Sequence, residues 1–162
     1  GYISGIKFKV PRDKGMLWSS LGDFRTAEKL AEKKGLVTLE SQLKKNGFYQ
    51  LYSREFGKTQ DSVTKEIWTL ISKKYVNSLE GTVTGYVHRA THFKKIYKAT
   101  DPRVINSTDP VLVTEVDEIS KILMSNPKIT EVVLIDVATG EAFGYRSREL
   151  LESLLRLEKA KP

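Results

Sequence analysis

One run of residues constrains this chain more than any other. Glu131 to Val137 holds four consecutive apolar side chains, Val132, Val133, Leu134 and Ile135, and stops at Thr139-Gly140. A strand with one face in water alternates apolar and polar residues. A run without alternation is buried on both faces, as in a central strand of a helix-covered and often parallel sheet. The run therefore predicts a layered α/β core. Thr82 to His88 adds a strand on which Val83 and Val87 share a face, bounded by Gly81. Between the two, Asp109 as N-cap and Pro110 at the first helical position predict a helix to about Asn126. Leu112, Val116, Ile119 and Leu123 fall on one face of that helix. From Ser147 a last amphipathic helix carries Leu150, Leu151, Leu154 and Leu155. Strand, helix, strand, helix predicts an α/β lobe over residues 81–162, with a mainly parallel sheet flanked by helices.

Residues 1–80 read as a helical lobe packed on it. Asp23 is a good N-cap for a helix with Ala27, Leu30 and Ala31 on one face, closed by Gly35. Thr38 caps a second, with Leu39 and Leu43 one turn apart and Gly47 near its end. A third follows Asp61 and aligns Val63, Ile67, Leu70, Ile71 and Tyr75 in one stripe. Trp68 and Ser72 are four apart on this helix, so they share a face on consecutive turns beside that stripe. The two lobes together form one domain-sized unit of 162 residues.

Composition narrows the chemistry. There are no cysteines, so disulfides, thiolate catalysis and cysteine metal sites are excluded. No apolar run approaches the roughly 20 residues that span a bilayer, and the start carries no signal-peptide pattern. The formal charge of +7 favours an anionic partner: a nucleotide, a nucleic acid, a membrane surface or an acidic protein. The lysines fall in scattered pairs, Lys33-Lys34, Lys44-Lys45, Lys73-Lys74 and Lys94-Lys95. Without a continuous basic tract, dedicated nucleic-acid binding is not expected.

Four short blocks recur in one order: Leu17-Trp18-Ser19, Thr38-Leu39-Glu40, Ile67 to Tyr75 around Trp68 and Ser72, and Val113-Thr114-Glu115-Val116. In this order they resemble the ADP-ribosyl cyclase family, enzymes that break the nicotinamide–ribose bond of NAD. Glu131 to Val137 resembles that family's late core strand. The resemblance implies that Glu115 is the catalytic carboxylate and that Ser72 approaches the reacting ribose. It implies that Trp18 and Trp68 flank the nicotinamide, with Ser19 and Thr38 beside them. It implies that Glu40 contacts the carboxamide and biases hydrolysis against cyclisation. NAD or NADP is then the substrate, with no cofactor and no metal. Lacking cysteine, the chain is most similar to the bacterial branch, found as toxin domains at the C-termini of large secreted effectors. A start at Gly1 in place of Met fits that expectation. Such a toxin would act in a target-cell cytoplasm, as in contact-dependent growth inhibition, and its producer would need an acidic immunity protein.

The chemistry implied is undemanding of acid. The nicotinamide of NAD is cationic and leaves as a neutral ring, so the enzyme has to stabilise the oxocarbenium-like ribose. A carboxylate on the ribose hydroxyls does this, and aromatic walls stack the pyridinium for about 0.5–2 kcal/mol. The rival reading is a ribonuclease toxin. His88 and His92 are spaced i, i+4 on a basic chain, and histidines suit general acid–base cleavage of RNA. Two histidines without a third ligand do not make a metal site. Arg103 or nearby lysines could hold a pyrophosphate, but no glycine-rich phosphate loop selects among them.

Overall fold

A computed structural model describes residues 8–18, 24–45, 62–88 and 110–159, together with Ala90, Phe93 and Tyr97. Within these, the side chains of Phe24, residues 62–65, Trp68, residues 110–114 and residues 157–159 are not described. The described residues form a mixed α/β fold with a four-stranded sheet in the order β1-β2-β3-β4. The strands are β1 (Gly15–Trp18), β2 (Gly81–Val87), β3 (Ile129–Asp136) and β4 (Ala142–Arg146). The first three are parallel, and β4 returns antiparallel to β3. Five helices accompany them: α1 (Phe24–Lys34), α2 (Leu39–Lys45), α3 (Ser62–Asn77), α4 (Pro110–Ser125) and α5 (Ser147–Lys159).

The apolar run at Val132 to Ile135 is an interior strand, flanked by β2 and β4. Alternation divides its side chains between the two faces. Val132 and Leu134 join Val83 and Val87 against Val116, Ile119 and Leu123 of α4 and Leu150 and Leu154 of α5. On the opposite face Met16 and Tyr86 pack on Ala27 and Ala31 of α1, with Ile135 at the margin. Val132 and Leu134 are buried as expected, but Val133 and Ile135 are only half-buried, so the second face of this strand is partly covered.

The helix expectations hold in most particulars. Pro110 begins α4, Ser147 begins α5, and Gly35 adopts a positive φ of 68° directly after α1. Thr38 caps α2 reciprocally with Ser41: the Ser41 N–H donates to Thr38 Oγ1 at 3.1 Å and the Thr38 N–H donates to Ser41 Oγ at 3.0 Å. This is a capping box with serine in the usual Glu position. In α3, Ile71 and Tyr75 are buried as the stripe predicts, but Leu70 is 44% exposed. The buried arc is therefore narrower than the run of apolar residues. Asp23, Gly47, Asp61 and Asp109 lie outside the described residues.

Two elements depart from expectation. The first half is not wholly helical: Gly15–Trp18 is a strand that pairs with β2 from the second half, so the sheet draws on both. Its four residues include Gly15, whose missing side chain is what lets Leu79 pack there; a Cβ at this position would collide with the leucine Cδ2. The second is β4, which contains Gly144 and follows the tight turn after Asp136. That turn is closed by Asp136 Oδ1, which accepts the N–H groups of Ala138 at 2.8 Å and Thr139 at 3.1 Å.

One more segment extends the sheet. Val37 forms a parallel bridge with Gly15: the Met16 N–H donates to Val37 O at 2.9 Å and the Val37 N–H donates to Lys14 O at 2.7 Å. The chain thus leaves β1, returns through α1 to Val37 on one side, then passes through α2 and α3 to β2 on the other. The connection reverses its direction across β1. No described helix is long and apolar enough to cross a membrane.

Candidate functional site

A reversal of this kind opens a crevice between the carboxyl ends of the two strands on either side of it. Chain segments diverge there in opposite directions, and ligands of open α/β sheets bind at such switch points. Here the strands are β1 and β2, and the residues at their ends are Trp18, in register with Tyr86, and His88 just beyond Val87.

Trp18 is half-buried, and its indole Nε1 donates to Glu40 Oε2 at 3.3 Å. Glu40 reaches it from the first turn of α2, where the helix dipole favours a carboxylate. The position of α2 is fixed by the Thr38–Ser41 caps, by buried Leu43, and by Gln42, whose Oε1 accepts the Lys9 N–H at 3.2 Å. Burial raises the pKa of Glu40 above its ordinary 4.5. Hydrogen bonds from its own backbone N–H and from Trp18 lower it in part, and the charge of Glu28 raises it further. Glu28 is itself paired with Lys44 at 3.5 Å.

Glu115 is only 5% exposed. It stands in the second turn of α4, and its two carboxylate oxygens accept the His88 backbone N–H at 3.1 and 3.3 Å. The β2–β3 ladder ends at the pair Val87 and Asp136, so that amide would otherwise lack a strand partner. A buried carboxylate is costly unless hydrogen-bonded, and the strand end supplies a donor.

A cavity of about 60 Å³ lies between these elements. Leu17 and Trp18 of β1, Gly85 and Tyr86 of β2, and Glu115 and Glu118 of α4 are among its lining residues. Most of the remaining wall is aliphatic, so Glu115 and Glu118 give it an acidic side. Its volume exceeds the roughly 10–15 Å³ that one water requires.

The structure thus puts Trp18 and Glu115 on the border of one cavity and bonds Glu40, which does not line it, to the Trp18 indole. Thr38 is fully buried, and its hydroxyl is engaged in capping α2. Ser72 is half-buried on α3 and is not among the residues lining the cavity. Trp68 belongs to α3, but its side chain, like Ser19, His92 and Arg103, lies outside the described residues. His88 stands in a bend after β2, so the helical geometry expected of an i, i+4 histidine pair does not begin there. Among the described residues no three of His, Cys, Asp and Glu gather as metal ligands.

Two tyrosines escaped the sequence reading. Tyr86 is buried beside Trp18 and lines the same cavity; burial raises its pKa. Tyr75 falls in the apolar stripe of α3, yet its hydroxyl accepts the Met16 N–H at 3.2 Å and lies 2.7 Å from the carbonyl oxygens of Met16 and Val37. It fastens β1 to the Val37 segment, and burial raises its pKa strongly. Both roles depend on β1 being a strand, which is the element the sequence hid. Comparison of the chain with protein-family models, with curated proteins and with solved structures found no match to any of them.

Proposed function

We propose that this chain is an NAD(P)+ glycohydrolase that cleaves the nicotinamide–ribose bond to give ADP-ribose and nicotinamide. The observation that carries the reading is the presence of Trp18 and Glu115 at the crevice between β1 and β2. Trp18 and Glu115 line one cavity, and Glu40 is hydrogen-bonded to the Trp18 indole. The four-block resemblance to the ADP-ribosyl cyclase family supports the same assignment, and with it that family's two-lobed arrangement.

In this reading the pyridinium ring stacks against Trp18, with Trp68 as the second wall. The glycosidic C–N bond breaks, and its electron pair passes to the ring nitrogen, which leaves as neutral nicotinamide. The ribose carbon becomes oxocarbenium-like. Glu115, held by the His88 amide, stabilises that charge in a crevice of low polarity, where a fixed carboxylate acts more strongly than in water. Water then adds to the ribose carbon and releases its proton to solvent. The resemblance alone gives Ser72, which does not line the cavity, the placing of the ribose or the attacking water.

The biological setting belongs to the same proposal: a toxin delivered as part of a larger effector, neutralised by an acidic immunity protein drawn to the +7 charge. Incubation with NAD, followed by chromatography of the products, tests the activity. Equal release of nicotinamide and ADP-ribose is expected, and its absence refutes the reading. Degradation of RNA in place of NAD would favour the ribonuclease alternative.

A further inference from the structure

The resemblance casts Glu40 as a residue that touches the substrate, but the geometry points to a different task. We infer that Glu40 is a positioning residue: its carboxylate fixes the Trp18 ring at the crevice, and its effect on catalysis passes through that ring. The inference rests on the glycohydrolase reading for its kinetic arm only.

The Trp18 side chain extends from the last residue of a four-residue strand. Beyond it the β1–β2 pairing stops, so the ladder holds only one side of the ring's attachment point. The ring packs against the cluster of Met16, Ala27, Ala31 and Tyr86, and such apolar contact fixes its tilt less tightly than a directional bond to its N–H. Glu40 Oε2 lies 3.3 Å from Nε1. Behind Glu40 the chain is tied down by the Val37 bridge to β1, the Tyr75 hydroxyl between Met16 and Val37, and the reciprocal caps at Thr38 and Ser41. The sheet edge therefore adds one directional side-chain hydrogen bond to the packing that holds the ring. A ring held in place before substrate arrives loses less conformational entropy on stacking, which favours binding more than the bond-breaking step.

The distinguishing variants are Glu40→Ala, which removes the acceptor, and Glu40→Gln, which keeps an amide oxygen at the same reach. The chain has two tryptophans, so a ¹H–¹⁵N spectrum holds two indole resonances, assigned by the loss of one in Trp68→Phe. In the substrate-free protein, Glu40→Ala is expected to move the Trp18 indole proton upfield, with Glu40→Gln restoring most of the shift. With NAD, Glu40→Ala should raise KM about tenfold, near the worth of one charged hydrogen bond, with kcat little changed. Glu40→Gln should return KM close to the native value. An unmoved indole resonance in Glu40→Ala overturns the inference. So does a Glu40→Gln variant that restores the resonance but not KM, because Glu40 would then act on the substrate directly. If the native protein releases no nicotinamide, the glycohydrolase reading fails while the resonance still decides whether Glu40 holds Trp18.

Discussion

The two ends of the sheet differ in the polar residues that they bury. At the amino ends the polar side chains close turns. Asn126, 2% exposed, donates from Nδ2 to Val76 O at 2.7 Å and Leu79 O at 2.9 Å, and its Oδ1 accepts the Lys128 N–H at 3.0 Å. Asp13 Oδ1 accepts the Thr82 N–H at 2.7 Å, and Gly81 beside it has a φ of 76°, where a Cβ would strike that carboxylate. These groups do what any loop between helix and strand requires. At the carboxyl ends Asp136, buried at the end of β3, also closes a turn, but at the same end of the sheet stand the half-buried Glu40 and the buried Glu115, next to an indole and a cavity. A neutral amide with three hydrogen bonds is inexpensive to bury, whereas a carboxylate is not. Under the proposed function, carboxylates withdrawn from water at a strand-end crevice mark that end of the sheet as the chemical one and the other as structural.

Substitutions at the two ends should separate stability from activity. The largest effect is expected from Glu115→Gln, with NAD turnover reduced on the order of 10²–10³-fold, equivalent to about 2.7–4 kcal/mol. Circular dichroism and the urea midpoint should stay near native, since the amide oxygen still accepts the His88 N–H. Undiminished turnover would remove Glu115 from the chemistry. Asn126→Ala is the converse. It leaves the Leu79 carbonyl and the Lys128 N–H without this partner, while Val76 O keeps the Leu79 N–H, and should cost about 1–3 kcal/mol, read from urea unfolding, with kcat of the folded fraction unchanged. Tyr75→Phe lies between the ends. Loss of its hydroxyl from Met16 and Val37 should cost about 1–2 kcal/mol and lower Tm by about 2–4 °C per kcal/mol. Because this bond ties β1 to the edge that carries Glu40, KM should rise as well. A stability loss without a KM change would show that Trp18 is indifferent to the edge.

What could be read from the sequence follows from length and repetition. α4 and α5 span 16 and 13 residues, long enough for apolar periodicity to state the buried face, and β3 announced itself by lacking alternation. β1 has four residues, Gly-Met-Leu-Trp, split between two faces by the pleat and led by a glycine kept small for Leu79. Neither alternation nor propensity can mark so short a piece; only its pairing with β2 makes it a strand. β4 is hidden likewise by Gly144 and by its exposed side chains. Site legibility has the same limit. Trp18, Glu40 and Glu115 were selected as residue types in an order, which carries no distances. The Trp18–Glu40 bond needs the bridge at Val37, and the Glu115–His88 bond needs the place where β2 stops. Tyr86 could be recognised beside Trp18 only once the register of β1 on β2 was known.

The smallest effect tests whether Glu40 bears the electrostatic cost that marks the chemical end. Its folded-state pKa is raised above 4.5, with burial the largest cause and the charge of Glu28 on α1 adding to it. The indole of Trp18 and the backbone N–H of Glu40 oppose the shift, and Lys44 of α2 moderates Glu28 at 3.5 Å. A carboxyl with a raised folded pKa binds more protons in the folded than in the unfolded chain over the interval between the two values. Its contribution to stability is therefore fully present below pH 4.5 and is lost as pH rises through the folded pKa. Glu40→Gln has no such proton to lose but can still accept from Trp18. Relative to the native chain, the variant should gain stability as pH rises from about 4.5, with the difference constant above the folded pKa of Glu40. Urea midpoints of both proteins measured from pH 4 to pH 8 read this directly. A native chain that gained stability over the variant with rising pH would mean that Glu40 is better solvated or more strongly paired than its burial implies. The contrast between the two ends of the sheet would then rest on Glu115 alone.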